Sequence, residues 1–198
     1  MTGVMSLGAT VWFTGLSGAG KSTIARAVAS LVSDEVDVEV LDGDDLRATI
    51  SSDLGFSRHD RDVHVRRVGF VAELLARHGT LVLVPVIAPY ADARDSVRRH
   101  HDEHGSAFVQ VHVSTPLAEC ARRDPKGLYD KASHGELTGL TGVDDRYDVP
   151  VDPDLRVDTT DIDVPAAAGR VLDLLAERDL LSYSRPSRSA HSSRVSNE

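Results

Sequence analysis

The sequence predicts a single three-layer α/β domain, with a mainly parallel five-stranded sheet flanked by helices. Three observations carry this expectation. Short apolar, β-prone runs alternate along the chain with segments of helical spacing. The longest apolar run, residues 81–88, is almost unbroken, as in a strand buried on both faces of a parallel sheet. A glycine-rich loop at residues 15–20 stands between the first strand and the first helix.

Each element follows in order. Residues 9–14 (ATVWFT) form a short β-prone strand, and residues 21–32 have helical spacing with Ile24, Ala27, Val28 and Leu31 on one face. Residues 38–41 read as a second strand ending in the acidic turn Asp42, Gly43, Asp44, Asp45. Residues 60–77 are the longest helical segment, stopped by His78 and Gly79. Residues 80–87 form a strand, 92–104 a polar helix ended by Gly105, 107–113 a strand and 116–123 a short helix. Residues 124–150, rich in Gly, Asp and Lys, read as loops over an active face. Residues 155–157 form a last strand and 165–178 a closing helix. The domain is expected to span residues 1–181, leaving a disordered Ser/Arg-rich tail at 182–198.

Composition narrows the function. The 198 residues suit one domain, and 41% hydrophobic with 27% charged residues suits a globular chain. Lys and Arg number 22 against 31 Asp and Glu, for a net charge of −9. Phosphate-backbone affinity needs a positive surface, so no nucleic-acid partner is expected. The lone cysteine, Cys120, excludes a disulfide framework and reads as a small buried residue. No run approaches the about 20 apolar residues that span a bilayer, and the N-terminus lacks signal-peptide character. A cytoplasmic protein without a membrane partner is the expectation.

The loop itself, Gly15-Leu-Ser-Gly-Ala-Gly-Lys-Ser22, matches G-x-x-x-x-G-K-[ST] in the strand–loop–helix setting the motif needs. Such a loop curls so that N–H groups converge on phosphate oxygens, aided by the positive end of the following helix. Gly15, Ser17, Gly18, Ala19, Gly20, Lys21, Ser22 and Thr23 are therefore the expected contacts of a nucleoside triphosphate, which the resemblance given below makes ATP. Lys21 can reach the outer phosphates, and the Ser22 hydroxyl can ligate Mg²⁺. The domain is thus of the P-loop NTPase type.

Further clusters follow: LDGDDLR at 41–47, GFSRHDR at 55–61, APYADARDSVR at 88–98, STPLAECARRDPKGLYDKA at 114–132 and GELTGLTGVDD at 135–145. With GLSGAGKST, this succession over about residues 9–158 resembles the adenylyl-sulfate kinase (APS kinase) family. The resemblance implies transfer of the ATP γ-phosphoryl to the 3′-hydroxyl of adenosine 5′-phosphosulfate (APS). The product is 3′-phosphoadenosine 5′-phosphosulfate. It implies Mg²⁺ with ATP, a homodimer, and a supplier enzyme, ATP sulfurylase.

The resemblance also assigns roles. Asp44 looks like the carboxylate at the acceptor hydroxyl, and Asp42 like the residue that supports Mg²⁺ through water. Lys21 completes the catalytic set. Arg47 and Arg61 look like ligands of the phosphosulfate, where guanidinium forks suit the anion. Phe56 resembles the aromatic that stacks on adenine; Lys126 and Leu128 resemble contacts on a flap. Arg122 and Arg123 sit where the family has its lid, with Arg122 as the ATP contact. His64, Ile87, Ala88 and Leu140 complete the expected acceptor site, three of them departing from the family. His64 stands in place of an Asn, Ala88 in place of the Ser of an ISPY motif, and Leu140 in place of an aromatic. That Ser is linked to a phosphoenzyme in some members; Ala88 cannot be phosphorylated, so the transfer is expected to be direct and in line.

Other readings stay open at this point. The kinase could use another nucleotide-like acceptor, or the chain could be a non-catalytic nucleotide-binding regulator. Phe56 could be a core aromatic, and Arg67 a residue of a solvated helix face. Asp144 and Asp145 could form a turn or an ion pair. His100, His101 and His104 read as solvated helix residues, with a metal site as the alternative.

Overall fold

The computed structural model describes residues 8–181. Among them, β1 (Ala9–Thr14), α1 (Lys21–Val32), β2 (Val38–Val40), α2 (Gly43–Ala48), α3 (Arg58–Ala76) and β3 (Leu81–Pro85) come first. α4 (Ala91–Glu103), β4 (Ala107–Val113), α5 (Leu117–Arg123), α6 (Leu128–Ser133), β5 (Leu155–Val157) and α7 (Val164–Glu177) follow. The five strands form one sheet in the order β2-β3-β1-β4-β5, and every pairing is parallel. The mainly parallel expectation is met by a wholly parallel sheet.

β1 is the central strand, in register with Leu81 on one side and Ala107 on the other at Ala9. Its alternation divides the core. Val11 and Phe13 face a cluster with Ile24 and Val28 of α1 and Val171, Leu172 and Leu175 of α7. Trp12 faces a second cluster with Val68 and Ala72 of α3 and Val97 of α4. Two-sided burial is why β1 and β3 read as continuous apolar runs. The strand order reverses between β1 and β3, so the loops leaving their C-terminal ends border a crevice, the usual ligand position in open α/β sheets.

Several expectations need correction. Residues 42–45 are no turn: Asp42 is the N-cap of α2, its carboxylate accepting from the Asp44 N–H at 3.1 Å. α3 begins two residues before its expected start because Ser57 caps it, accepting from the Asp60 N–H at 3.2 Å. Residues 124–150 are not all loop; α6 forms there, its first turn tied by the Asp124 carboxylate to the N–H groups of Leu128 and Asp130. His101 is not solvated but fully buried, its Nδ1–H donating to the Val97 carbonyl and its Nε2 lying 2.9 Å from the Thr10 hydroxyl. Among the described residues no helix is long and apolar enough to cross a membrane. The expected tail at 182–198 lies outside the described residues.

Candidate active site

The passage from β1 to α1 is a backbone cradle. Gly18 and Gly20 hold φ angles of 75° and 102°. A side chain in that left-handed region costs about 1–2 kcal/mol. The cradle is pinned from behind. The Ala19 carbonyl oxygen lies 3.0 Å from both the Thr115 and the Thr159 hydroxyls, and the Tyr129 hydroxyl donates to the Ser17 carbonyl at 2.9 Å. Gly20 caps α1 without a side chain, so the first-turn N–H groups of α1 are available to an anion.

Lys21 bends over this cradle, donating to the carbonyls of Gly15 (2.9 Å) and Leu16 (2.8 Å). Burial, reinforced by the Lys126 cation, lowers it from 10.5 to about 8. A phosphate seated in the loop would supply the counter-charge that the buried ammonium otherwise draws from carbonyl dipoles.

The wall opposite is charged on both signs. Asp42 accepts from the Arg26 guanidinium at 3.1 Å in addition to capping α2. Asp44, in the first turn of α2, projects into the opening and pairs with Lys126. Arg47 donates to the Gly55 carbonyl at 2.7 Å and lies 4.9 Å from the Phe56 ring centroid. Arg61 donates to the carbonyls of Phe56 (2.8 Å) and Gly139 (2.7 Å) and to the Thr141 hydroxyl (3.0 Å). It also sits 3.7 Å from Asp145 and 5.8 Å from the Phe56 ring. Burial first and the neighbouring Arg61 second lower Arg47, against Asp60 and Asp44, and the guanidinium stays charged. Phe56 is no core aromatic: it is 69% exposed at the rim, with both guanidinium groups against it.

These groups enclose one cleft of about 650 Å³ at the C-terminal edge of the sheet. Ser17, Gly18, Gly20, Lys21, Ser22, Thr23, Asp42, Asp44, Arg47, Phe56, Arg61, His64, Ile87, Ala88 and Lys126 all line it. The Ser22 hydroxyl and the Asp42 carboxylate share that wall, an all-oxygen pair fitting a hard cation such as Mg²⁺. His64 is buried on α3 with Nδ1 3.0 Å from the Ser51 hydroxyl. Burial first, and Arg47 second, lower it from 6.5 to about 4, so it is neutral near pH 7. Ala88 holds a left-handed φ of 43°, its carbonyl accepting from Arg94 at 2.7 Å, while the Ile87 carbonyl accepts from Thr14 at 2.5 Å.

Other expected residues stand elsewhere. Gly15 and Ala19 support the cradle from outside the cleft wall. Arg122 is turned to solvent, its side chain 72% exposed and held bidentate by Glu119 at 2.7 Å. Its neighbour Arg123, about 100° further round the helix, lines the cleft and donates to the Thr159 carbonyl and hydroxyl at 2.7 Å. Leu128 packs half-buried against the larger core cluster rather than on the cleft. Leu140 is buried in that same cluster. The reason is local: the Asp144 carboxylate accepts from the N–H groups of Gly139 and Leu140, each at 2.7 Å, curling the chain inward. Asp144 is thus a turn residue, and Asp145 a partner of Arg61 and the Tyr90 hydroxyl. Arg67 is paired with Asp53 rather than freely solvated. Cys120 is buried as expected, and burial pushes its thiol up. The composition of the sequence did not flag the apolar wall from Val65, Pro85, Val86, Pro89 and Pro125.

The chain is similar in sequence and fold to known proteins. The family described as adenylylsulphate kinase matches residues 7–158. The adenylyl-sulfate kinase of Myxococcus xanthus is 49% identical over 176 residues, covering 89% of this chain and 95% of that protein. The bifunctional enzyme CysN/CysC of Mycobacterium tuberculosis is 50% identical over 85% of this chain, a stretch that is 27% of that longer protein. Among solved structures, the Mycobacterium tuberculosis APS kinase CysC in complex with AMPPNP and APS superposes with a TM-score of 0.83 at 49% identity, covering 85% of this chain and 98% of that one.

Proposed function

The chain belongs to the adenylylsulphate kinase family, and on that premise we propose that it phosphorylates the 3′-hydroxyl of APS with ATP. The observation that carries this is the meeting, in one cleft, of the Lys21 cradle with Asp44, Arg47, Phe56 and Arg61. The cradle is built for the triphosphate. The two arginines and the exposed Phe56 ring offer the acceptor an anion site beside a stacking face.

In the transfer, the acceptor 3′-oxygen attacks the γ-phosphorus while the bond from γ-phosphorus to the β–γ bridging oxygen breaks. ADP leaves with that oxygen. Asp44 orients the hydroxyl and takes its proton, once the acceptor has entered beside the Asp44–Lys126 pair. Lys21 and the first turn of α1 offset the charge gathering on the phosphoryl oxygens. Ser22 directly, and Asp42 through water, would hold the Mg²⁺ that accompanies ATP, and the ion would supply positive charge against the outer phosphates. With Ala88 on the cleft wall, the transfer is direct and needs no phosphoenzyme at that position.

The wider reading is a cytoplasmic enzyme of one domain over residues 1–181, acting as a homodimer downstream of ATP sulfurylase. Its relative within a bifunctional enzyme supports such a pairing of activities. Incubating the purified chain with Mg-ATP and APS, and following 3′-phosphoadenosine 5′-phosphosulfate directly, tests the reading. Product formation well above that with other nucleotides or small alcohols is expected. ATP binding without any such product would overturn it.

A further inference from the structure

Opposite the cleft, at the edge where the strands begin, the last turns of α3 and α4 meet. Glu73 projects there from α3, and His100 and His104 project from the C-terminal turn of α4. One potential ligand atom from each of the three lies within 4.8 Å of the other two. We propose that Glu73, His100 and His104 bind one divalent transition-metal ion of the Zn²⁺ class, joining α3 to α4.

Four features point to a cation. Glu73 is only 1% exposed, and its Oε2 has no hydrogen-bond partner among the described residues. His100 Nε2 is likewise buried without a partner, and the two atoms face each other at 3.7 Å. Two buried acceptor-capable atoms in that position are costly unless something positive lies between them. Second, the spacing is close to what an ion imposes. Ligands at about 2.0–2.2 Å from a tetrahedral ion stand about 3.4 Å apart. His104, exposed at the end of α4, has a ligand atom within the same 4.8 Å.

Third, the outer contacts are already set. The His104 Nδ1–H donates to the His100 carbonyl at 2.8 Å, which leaves Nε2 with its lone pair available. That backbone tie is the arrangement in which ligating histidines are held. The other carboxylate oxygen, Oε1, accepts from the Ser106 hydroxyl at 3.0 Å, fixing the plane of the Glu73 carboxylate. Fourth, two histidines four residues apart on one helix face, with a carboxylate from a neighbour, form a ligand set suited to imidazole-loving metals rather than Mg²⁺ or Ca²⁺. His101 takes no part, since both of its ring nitrogens are engaged. Arg77, 3.9 Å from Glu73 Oε1, is the nearby cation that opposes binding. It sits on the oxygen turned away from His100.

The ion would act as a clasp, not a catalyst, because the site lies at the strand edge remote from the phosphate cradle. The test uses the full chain, stripped with a chelator and titrated with Zn²⁺ alone, without nucleotide, by calorimetry. One equivalent is expected to bind, with the apparent Tm rising as Zn²⁺ rises. His104→Ala, an exposed change that leaves the core intact, is expected to weaken binding by at least ~10-fold and abolish the Tm rise, with kinase turnover unchanged. Glu73→Gln is expected to do the same to binding. Co²⁺ in place of Zn²⁺ is expected to give visible d–d bands in the wild type and not in His104→Ala. Two results would overturn the proposal. One is no Zn²⁺ binding below millimolar concentrations. The other is equal affinity and stoichiometry in His104→Ala.

Discussion

His64→Asn puts the family's amide into the cleft wall and removes a titrating group, and its effect on stability can be worked out. In the fold, burial and Arg47 lower His64 from 6.5 to about 4. The unfolded chain therefore takes up the proton first as pH falls. The stability tied to a neutral His64 is complete above pH 6.5 and is lost on the way down to about 4. Linkage puts the loss at about 2 kcal/mol by pH 5 and about 3 kcal/mol below pH 4. His101 and His112, also lowered by burial, remain in both proteins and cancel in the difference. The Asn amide can still reach the Ser51 hydroxyl that Nδ1 meets at 3.0 Å. Urea unfolding of both proteins at pH 7 and pH 5 reads the effect. Relative to wild type, the variant is expected to gain about 2 kcal/mol over that interval. A wild-type–variant difference that stays the same at both pH values, within about 0.5 kcal/mol, would show that His64 takes its proton as readily folded as unfolded.

Three more predictions follow from the geometry. Asp44→Asn is expected to lower kcat by at least ~100-fold with KM for ATP little changed; an unchanged kcat would remove Asp44 from the proton transfer. Arg123→Ala is expected to raise KM for ATP by about tenfold, while Arg122→Ala changes it less than about twofold; the reverse order would show that α5 turns when nucleotide binds. Gly69→Ala is expected to destabilise the fold by about 1 kcal/mol in urea unfolding: the helix gains propensity, but the new Cβ would lie 2.5 Å from Val97 Cγ2. Val97→Ala should remove that penalty, and a stabilised single variant would mean the α3–α4 contact gives way freely.

Much of the fold was legible from local pattern. β1, β4, β5 and α1 begin and end where periodicity and glycine placement put them. Asp42 was misread because an Asp followed by Gly serves equally as a turn and as a helix cap, and only the third-dimension path of residues 43–48 decides. The phosphate cradle was readable because its geometry is carried by consecutive residues. Arg122 and Arg123 were not separable, since neighbours on a helix differ only in the face they present, and that is set by Glu119 and Thr159. Leu140 and His101 illustrate the same limit. One is drawn inward by the Asp144 turn, and the other is buried by Thr10, a partner distant in sequence.

The Ala19 carbonyl hangs between Thr115 and Thr159, which follow β4 and β5 respectively. β5 is an edge strand of three residues, the kind of element that opens before the rest of a domain. Whenever it opens, Thr159 leaves and the Ala19 carbonyl loses one of its two hydroxyl partners. By reciprocity, a nucleotide seated in the cradle must hold β5 shut by the same free energy. Amide exchange at residues 155–157 and the affinity for ATP are therefore two readings of one equilibrium, so a change at the sheet's margin that touches no ligand can still loosen the nucleotide.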